Sequence, residues 1–545
     1  MDGGQALVRT LIEHGVDTAF SVPGESYLPI LRAIQNAGNA IKLITPRHES
    51  GVTFAAEAYG KLTGRPAAGL VSRGPGATNA SIGVHTAAQD STPLLLFVGH
   101  VPTTSKGREA FQEIDYHQMF GKVAKAVLEP ESSAQIPEIV ARAITLTTAG
   151  RPGPVVVVMP KDITEGDAGD AQPPAPRPRA RAGMAPDDVI QAAALINSAV
   201  RPLVIAGEMV SIDDATPALI AFAEASGAAV SAAYRRQDAF PNEHAAYIGH
   251  LEINRVAFQE KAFAEADLII AVGCRMDGIS TQEFAIPRAD QKFIHIFPDR
   301  EVLARYSSDV ASPADVVPAL QALTDAVARP TSSRLEWRDG LHAAFDAFAR
   351  PGSIHIHGQV DLAACVAEMQ SQVPDDAVIL CDSGTFARWV HRYYRFNAPH
   401  TQAGPMSGAM GYAVPGAVGA ALAKPHAPAV AFVGDGGFLM SGQELVTAVQ
   451  HRLKLICILC DNGAWGSIMV SQQRRYGEEG VHGTRLQSPD FAKVAEGYGL
   501  KSFRVERTAD FGPAMAAALA TDGPALLHLL LDDRDVSPFT DEVSV

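Results

Sequence analysis

The chain has 545 residues, 47% of them apolar and 19% charged, with a formal charge of −15. That length accommodates three or four domains of ordinary size. The negative charge is spread without acidic or basic blocks, which argues against a nucleic-acid partner. The longest apolar runs, such as Leu94 to Val98, fall far short of a membrane span. The opening segment MDGGQALVRT holds an early acid and no apolar core of the kind a secretory leader needs. A cytoplasmic protein without membrane contact is expected. The five cysteines (Cys274, Cys365, Cys381, Cys457, Cys460) are odd in number and scattered, so no zinc or disulfide framework is expected. Cys457 and Cys460 have C-x-x-C spacing, but they fall inside an apolar strand, where cysteine packs as a small core side chain.

In chain order, the first block alternates helix and strand. Leu7 to Glu13 reads as helix, and Thr18 to Val22 and Ile41 to Thr45 read as strands. Gly51 to Leu62 reads as a helix closed by Gly64 and Pro66. Ala67 to Val71, Leu94 to Val98 and Val155 to Met159 read as further strands. Thr164 to Gly183, rich in Pro, Arg, Ala and Gly, reads as a linker. The second block contains strands at Leu203 to Ala206, Leu268 to Val272 and Phe293 to Phe297. A less regular stretch from Arg329 to Gly358 leads into the third block.

There the apolar run Ala429 to Val433 lacks polar alternation, as in a parallel strand covered on both faces. Gly434-Asp435-Gly436-Gly437 is predicted to turn sharply. Ser441 and Glu444 are spaced as a capping box, with Leu445, Ala448, Val449 and Leu453 as the buried stripe that follows. Leu455 to Cys460 is the next strand, ending in Asp461-Asn462-Gly463. Strand, helix and strand in this order imply a right-handed β-α-β unit, which brings Asp435 close to Asn462. The whole pattern predicts an α/β protein of three doubly wound parallel-sheet domains, over residues 1–165, 184–328 and 355–545.

Two hard oxygen ligands beside glycine-rich backbone suit a magnesium ion that also binds a diphosphate. Other phosphate signatures are absent. Leu439 stands where a G-x-G-x-x-G fingerprint needs glycine, and no GK[ST] follows. The segment GDG, followed after a β-α-β passage by Asp461-Asn462, resembles the thiamine diphosphate motif. Pro46-Arg47-His48-Glu49-Ser50-Gly51, running into A-A-E-A-Y-G-K-L-T-G, resembles the RHE segment of the acetohydroxyacid synthase and pyruvate oxidase group. The resemblance implies that Glu49 bonds N1′ of the cofactor's aminopyrimidine ring and shares a proton with it, a general acid–base role.

Other segments carry the same resemblance. Val22-Pro23-Gly24 is similar to the family's G-x-P-G loop, and Gly74-Pro75-Gly76-Ala77-Thr78-Asn79 to its GPG-A-T-N loop. Ala110-Phe111-Gln112-Glu113 matches AFQE, which implies that Phe111 and Gln112 flank the reacting carbon. Gly408-Ala409-Met410-Gly411-Tyr412 resembles the segment whose methionine props the cofactor, and Asp382-Ser383-Gly384-Thr385-Phe386 occupies the diphosphate-side loop. Asp435, Gly436, Gly437 and Asn462 complete the cofactor contacts, together with Trp465, Gly466, Ser467 and Ile468. The implied metal ligands are Asp435, Asn462 and the carbonyl of Ala464. The resemblance spans nearly the whole chain, and it implies a homodimer at minimum and a homotetramer as a dimer of dimers.

Departures from the family concern the acceptor side. Ser471 falls where acetohydroxyacid synthases carry a tryptophan, and Glu25-Ser26 replaces a Gly-Ala pair. Ser26, Ile468, Met469 and Ser471 are the candidate substrate residues. Gly207-Glu208-Met209 stands where flavin binders often have a glycine run, so the balance is against structural FAD. The leading expectation is a thiamine-diphosphate-dependent lyase or carboligase acting on a 2-oxo acid or related small carbonyl compound. The alternatives are an FAD-linked 2-oxo acid oxidase and a C–C-cleaving 2-hydroxyacyl or diketone lyase. A scaffold without catalysis sits poorly with the presence of Glu49, Asp435 and Asn462 together.

Overall fold

The computed structural model describes residues 1–253 and 256–539, so the end of the predicted third domain, 540–545, lies outside the described residues. Among the described residues, eighteen strands form three six-stranded sheets, parallel throughout. The first contains β1 (Thr18–Ser21), β2 (Lys42–Ile44), β3 (Ala68–Ser72), β4 (Leu94–His100), β5 (Ala126–Leu128) and β6 (Pro154–Pro160), in the order β2-β1-β3-β4-β6-β5. The second contains β7 (Pro202–Ala206), β8 (Ala229–Ala232), β9 (Tyr247–His250), β10 (Leu268–Val272), β11 (Lys292–Ile296) and β12 (Val310–Ser312), ordered β12-β11-β10-β7-β8-β9. The third contains β13 (Val378–Cys381), β14 (Gln402–Ala403), β15 (Ala429–Gly434), β16 (Leu455–Asp461), β17 (Lys501–Val505) and β18 (Ala525–Leu530), ordered β14-β13-β15-β16-β18-β17. The central strands β4, β6 and β16 are buried at every position. Their uninterrupted apolar runs are what a sheet covered by helices on both faces requires. Cys457 and Cys460 lie on β16, and all five cysteines are unpaired and buried.

Three local readings are corrected. The stretch around Arg329 to Gly358 contains a seventeen-residue helix, Ser332–Phe348, capped by the Thr331 side chain. Arg334 anchors it by donating to the carbonyl oxygens of Ser226, Ile196 and Ala199, and Phe345 enters the second domain's core. The predicted GDG turn is absent, because β15 passes at Gly434 directly into the helix Asp435–Ser441. No capping box joins Ser441 to Glu444: the Ser441 hydroxyl donates to the Gly411 carbonyl. The Glu444 carboxylate instead accepts from the backbone N–H groups of Arg47 (2.8 Å) and His48 (3.1 Å) in the first domain.

First and third domains share one continuous core. The helices Glu49–Thr63 and Ala413–Ala423 approach so closely that a Cβ on Gly419 would lie 2.0 Å from the Ala55 carbonyl oxygen. All three domains meet at a buried polar network. Lys61 Nζ donates to Asp90 Oδ1 and to the Gly404 carbonyl, each at 2.8 Å, and Met406 N–H donates to Asp90 Oδ2 at 3.1 Å. Arg236 of the second domain donates to the Asp90 carbonyl at 2.8 Å and lies 3.3 Å from its carboxylate. Glu57 accepts from the hydroxyls of Thr92 (2.8 Å) and Tyr412 (2.5 Å). Removing one partner of such a network strands buried charge, so Asp90→Ala is expected to cost about 3 to 5 kcal/mol. Chemical denaturation monitored by fluorescence measures that loss; a change below about 1 kcal/mol, typical of an exposed ion pair, rules out a structural role for the network.

Candidate active site

A cavity of about 260 Å³ opens at the carboxyl edge of the third sheet. Three helices begin in its wall, at Phe386, Asp435 and Gly466. Helix N-termini present unpaired N–H groups and the positive end of the peptide dipole, so three together favour an anion. The Ser383 hydroxyl, also in the wall, is buried without a hydrogen-bond partner. Gly436 packs under the Trp465 ring, where a Cβ would sit 2.2 Å from the indole. These features fit a diphosphate cradle.

On the same wall, Asp435 and Asn462 follow the adjacent, hydrogen-bonded strands β15 and β16. Burial, then the neighbouring Asp461 carboxylate, pushes the Asp435 carboxyl up to about 6. The Ser488 hydroxyl sits between the two acids, 2.7 Å from Asp461 Oδ1 and 3.4 Å from Asp435 Oδ2. Burial acts to raise the Asp461 carboxyl as well, but His528, 2.9 Å away, and Ser488 outweigh it and leave it below the usual carboxylate range. Gly463 turns in the left-handed region at φ 64, which brings Ala464 to the cavity. Asp435, Asn462 and Ala464 thus offer an all-oxygen donor set of the kind magnesium prefers.

Of the residues singled out in sequence, Ser383, Gly384, Thr385, Phe386, Met410, Asp435, Gly436, Gly437, Asn462, Ala464, Trp465, Gly466, Ser467 and Ile468 all line this cavity. Gly408 lies two residues from Met410, at φ 70. Asp382, the first residue of the 382–386 loop segment, holds it by bonds the sequence did not signal. Its carboxylate accepts from the N–H groups of Ser383 (2.7 Å), Gly411 (2.9 Å) and Tyr412 (3.4 Å). Sequence reasoning missed Ser488 and His528, which hold Asp461 beside Asp435, and the role of Glu444, which braces the Arg47–His48 turn. Asp461 was visible in the D-N pair, but its partners lie 27 and 67 residues away.

The first domain assembles a second cluster. Glu49 begins the helix Glu49–Thr63, and Asn79 Nδ2 donates to Glu49 Oε2 at 2.9 Å. Gly76 packs against the other carboxylate oxygen, with its Cβ position 3.6 Å from Glu49 Oε1. Pro75 and Asn79 are exposed beside it on the helix Arg73–Asp90. Pro23 and Gly24 follow β1, and a Cβ on Gly24 would lie 2.3 Å from Ser72. Phe111 and Gln112 ride on a loop held by the Glu113 carboxylate, which accepts from Gly107 N–H (2.7 Å) and Ala110 N–H (3.0 Å). Phe111 is 75% exposed.

The cavity wall begins at Leu362 in sequence, so a single chain does not bring Glu49, Phe111 or Gln112 to it. The substrate candidates differ in their surroundings. Ser26 is fully buried, bonded to the Ser72 hydroxyl at 2.7 Å. Met469 packs with Ala464 and Val536, which themselves line the cavity, and the exposed Ser471 donates its hydroxyl to the Ser467 carbonyl at 2.8 Å. Ile468 alone of the four lines the cavity.

Burial is the main cause that lifts the Asp382 carboxyl from 3.8 to about 6. Between those values the folded state binds more protons than the unfolded one, so this group's contribution to stability falls as pH rises. The wild type should lose melting temperature across pH 4 to 6 relative to Asp382→Asn, which cannot titrate there. Melting curves at a series of pH values check this, and parallel profiles for the two proteins refute it.

Three family models match the chain. Residues 1–119 match the "Thiamine pyrophosphate enzyme, N-terminal TPP binding domain", 189–323 the central domain and 382–529 the "C-terminal TPP binding domain". The chain is 31% identical over 548 residues to the acetolactate synthase isozyme 1 large subunit of Escherichia coli, covering 98% of this chain and 94% of the relative. It is 30% identical over 543 residues to the isozyme 2 large subunit of the same organism, covering 98% and 96%. A probable acetolactate synthase large subunit of Methanocaldococcus jannaschii is 29% identical over 554 residues, covering 99% and 93%. With thiamine pyrophosphate-binding domains at both ends, a central domain between them and relatives aligned end to end, the chain belongs to the acetolactate synthase-like family of thiamine pyrophosphate enzymes.

Proposed function

We propose that the protein is a thiamine-diphosphate- and magnesium-dependent carboligase that decarboxylates a 2-oxo acid such as pyruvate and joins the remainder to a second carbonyl compound. The carrying observation is the cavity in which three helix N-termini meet Asp435, Asn462 and Ala464. In this reading the helix ends and the Ser383 hydroxyl hold the diphosphate. Asp435, Asn462 and the Ala464 carbonyl hold the magnesium ion, and Met410 supports the organic rings. When bound, thiamine diphosphate would supply a nucleophilic carbon for the donor carbonyl and, in its cationic thiazolium ring, a sink for the electron pair left by departing carbon dioxide.

The chain's own residues position and protect that chemistry. Asn79 engages one oxygen of Glu49, leaving the other to hold or release a proton at the aminopyrimidine nitrogen. Glu444 fixes the turn before Glu49 from the third domain. Phe111 and Gln112 cover the reacting carbon and exclude water, while Ile468 lines the acceptor side. Because Glu49 and the cavity are separate in one chain, the complete site takes Glu49 from one subunit and Asp435 from another. The working unit is therefore a homodimer, extended to a homotetramer as a dimer of dimers. Five unpaired cysteines fit a reducing, cytoplasmic setting, and among the described residues no helix is long and apolar enough to cross a membrane.

Mass spectrometry of products from a panel of 2-oxo acids, with cofactor and magnesium present, tests the reaction. A coupled product with release of carbon dioxide supports carboligation. Oxidised or cleaved products without coupling assign the protein to another thiamine diphosphate reaction. Glu49→Gln should retain the cofactor but lose at least about a hundredfold in C2 deuterium exchange, the scale of general acid–base catalysis. Unchanged exchange removes Glu49 from the mechanism. Asp435→Ala should lose magnesium-dependent cofactor retention. Co-refolding these two inactive variants should restore roughly a quarter of wild-type activity, since half the random dimers hold one intact site of two. No recovery from properly mixed dimers contradicts a site shared between subunits.

A further inference from the structure

The carboxyl edge of the first sheet holds charged and polar groups that the reaction scheme leaves unused. Strands β3 and β4 pair with Ser72 opposite Gly99, so Arg73 and His100 stand side by side at the strand ends. Arg73 also opens the helix that carries Gly76 and Asn79 to Glu49. Its backbone has φ 49, a left-handed conformation that is uncommon outside glycine. The N–H of the next residue, Gly74, donates to the Gln112 carbonyl at 2.9 Å, so this strained turn is tied to the Phe111–Gln112 loop.

The Arg73 side chain is 9% exposed, yet its guanidinium is incompletely used. Nη1 donates to the Phe111 carbonyl at 3.4 Å and Nη2 to Glu25 Oε1 at 3.1 Å, whereas Nε is buried without a partner. Glu25 is its one ion-pair partner among the described residues, and that side chain is 71% exposed. Two further buried groups beside it, His100 Nδ1 and the Tyr116 hydroxyl, also lack partners, and their rings lie edge to face at 4.8 Å. Burial holds the His100 imidazole down to about 4, so it is neutral near pH 7. Lys106 is engaged by Glu129. Arg73 is therefore the buried cation at this edge, held by a carboxylate that can swing into solvent.

A buried guanidinium with spare donors is a recognition group for a carboxylate. We propose that Arg73 determines acceptor specificity by holding the carboxylate of a 2-oxo acid acceptor, which displaces Glu25 from the guanidinium. The inference rests on the carboligase reading above and assigns the acceptor class within it. The donor sheds its carboxylate as carbon dioxide, so a fixed cation gripping that group would stabilise the ground state and slow its departure. The acceptor keeps its carboxylate in the product. A cation beside Phe111 and Gln112 thus serves the acceptor, and it distinguishes a 2-oxo acid from an aldehyde.

The experiment gives the holoenzyme pyruvate as donor and compares pyruvate with acetaldehyde as acceptor, reading acetolactate against acetoin. In Arg73→Met the ratio of acetolactate to acetoin efficiency should fall about tenfold to a hundredfold, the usual weight of a charged hydrogen bond. The loss should appear mainly in KM for the acceptor. Glu25→Gln, which weakens the internal competitor, should lower that KM. Arg73→Lys should recover part of the ratio. Equal loss with both acceptors assigns Arg73 a purely structural role in the Phe111 loop and overturns the proposal, as does an unchanged ratio. A second arm needs no turnover: calorimetry of lactate against lactamide should show a carboxylate preference in the wild-type holoenzyme that Arg73→Met removes. An Arg73→Met enzyme that retains this preference refutes the assignment, whereas a wild type inert toward pyruvate refutes the carboligase reading.

Discussion

The contact between the helices Glu49–Thr63 and Ala413–Ala423 is the constraint on which the rest of the molecule depends. One helix begins at Glu49, and the other begins at Ala413, three residues after Met410. Their separation is set by backbone against backbone, since even a methyl group at Gly419 would collide with the Ala55 carbonyl at 2.0 Å. Close packing of this kind tolerates little drift. The Tyr412 ring meets Phe54 edge-on at 5.4 Å, and its hydroxyl reaches Glu57. The start of the Glu49 helix and the segment after Met410 are therefore locked into one packed unit.

Around that unit, the site sets groups of opposite charge side by side. Three helix N-termini and the unpaired Ser383 hydroxyl leave the cavity wall short of negative charge. Asp435, at one of those helix starts, places a carboxyl among them, and burial first, then the nearby Asp461 carboxylate, lifts it to about 6. Under the proposed function, a diphosphate bound through a divalent cation would satisfy both sets of groups, and the cost of assembling like charges would be recovered in binding. His528 and Ser488 keep Asp461 in place without competing for the cavity.

Much of this was legible in the sequence because parallel strands buried on both faces must be continuously apolar. The β15 and β16 runs announced themselves for that reason, and the strand bounds differ from expectation by a residue or two. The helix Ser332–Phe348 did not, since its sequence SSRLEWRDGLHAAFDAF mixes charge with a central glycine and buries fully only Arg334 and Phe345. Glu444 shows the same limit from another side. Its spacing from Ser441 suits a local cap, yet its carboxylate serves backbone N–H groups nearly 400 residues earlier. Local rules recognise a carboxylate near a helix start; they cannot say whose N–H it will take. The role of Asp382 was hidden likewise, its partners lying in the loop 29 residues downstream.

The division of the site explains why its two halves are braced so differently. Glu49 is held by Asn79 and by the Glu444-bound turn, so its position depends on the chain's own first and third domains. On the other half, Ser488 and His528 hold Asp461, and Ser488 also reaches Asp435, within the third domain alone. In the proposed dimer each half would meet its complement by docking, and with two-fold symmetry one docking step would complete two sites. The exposed Phe111 and the Glu25–Arg73 pair lie on the first-domain half. Substrate choice would then be carried by the subunit that supplies Glu49, and cofactor retention by the one that supplies Asp435. Substitutions on the two halves should accordingly affect KM and cofactor affinity as separable properties.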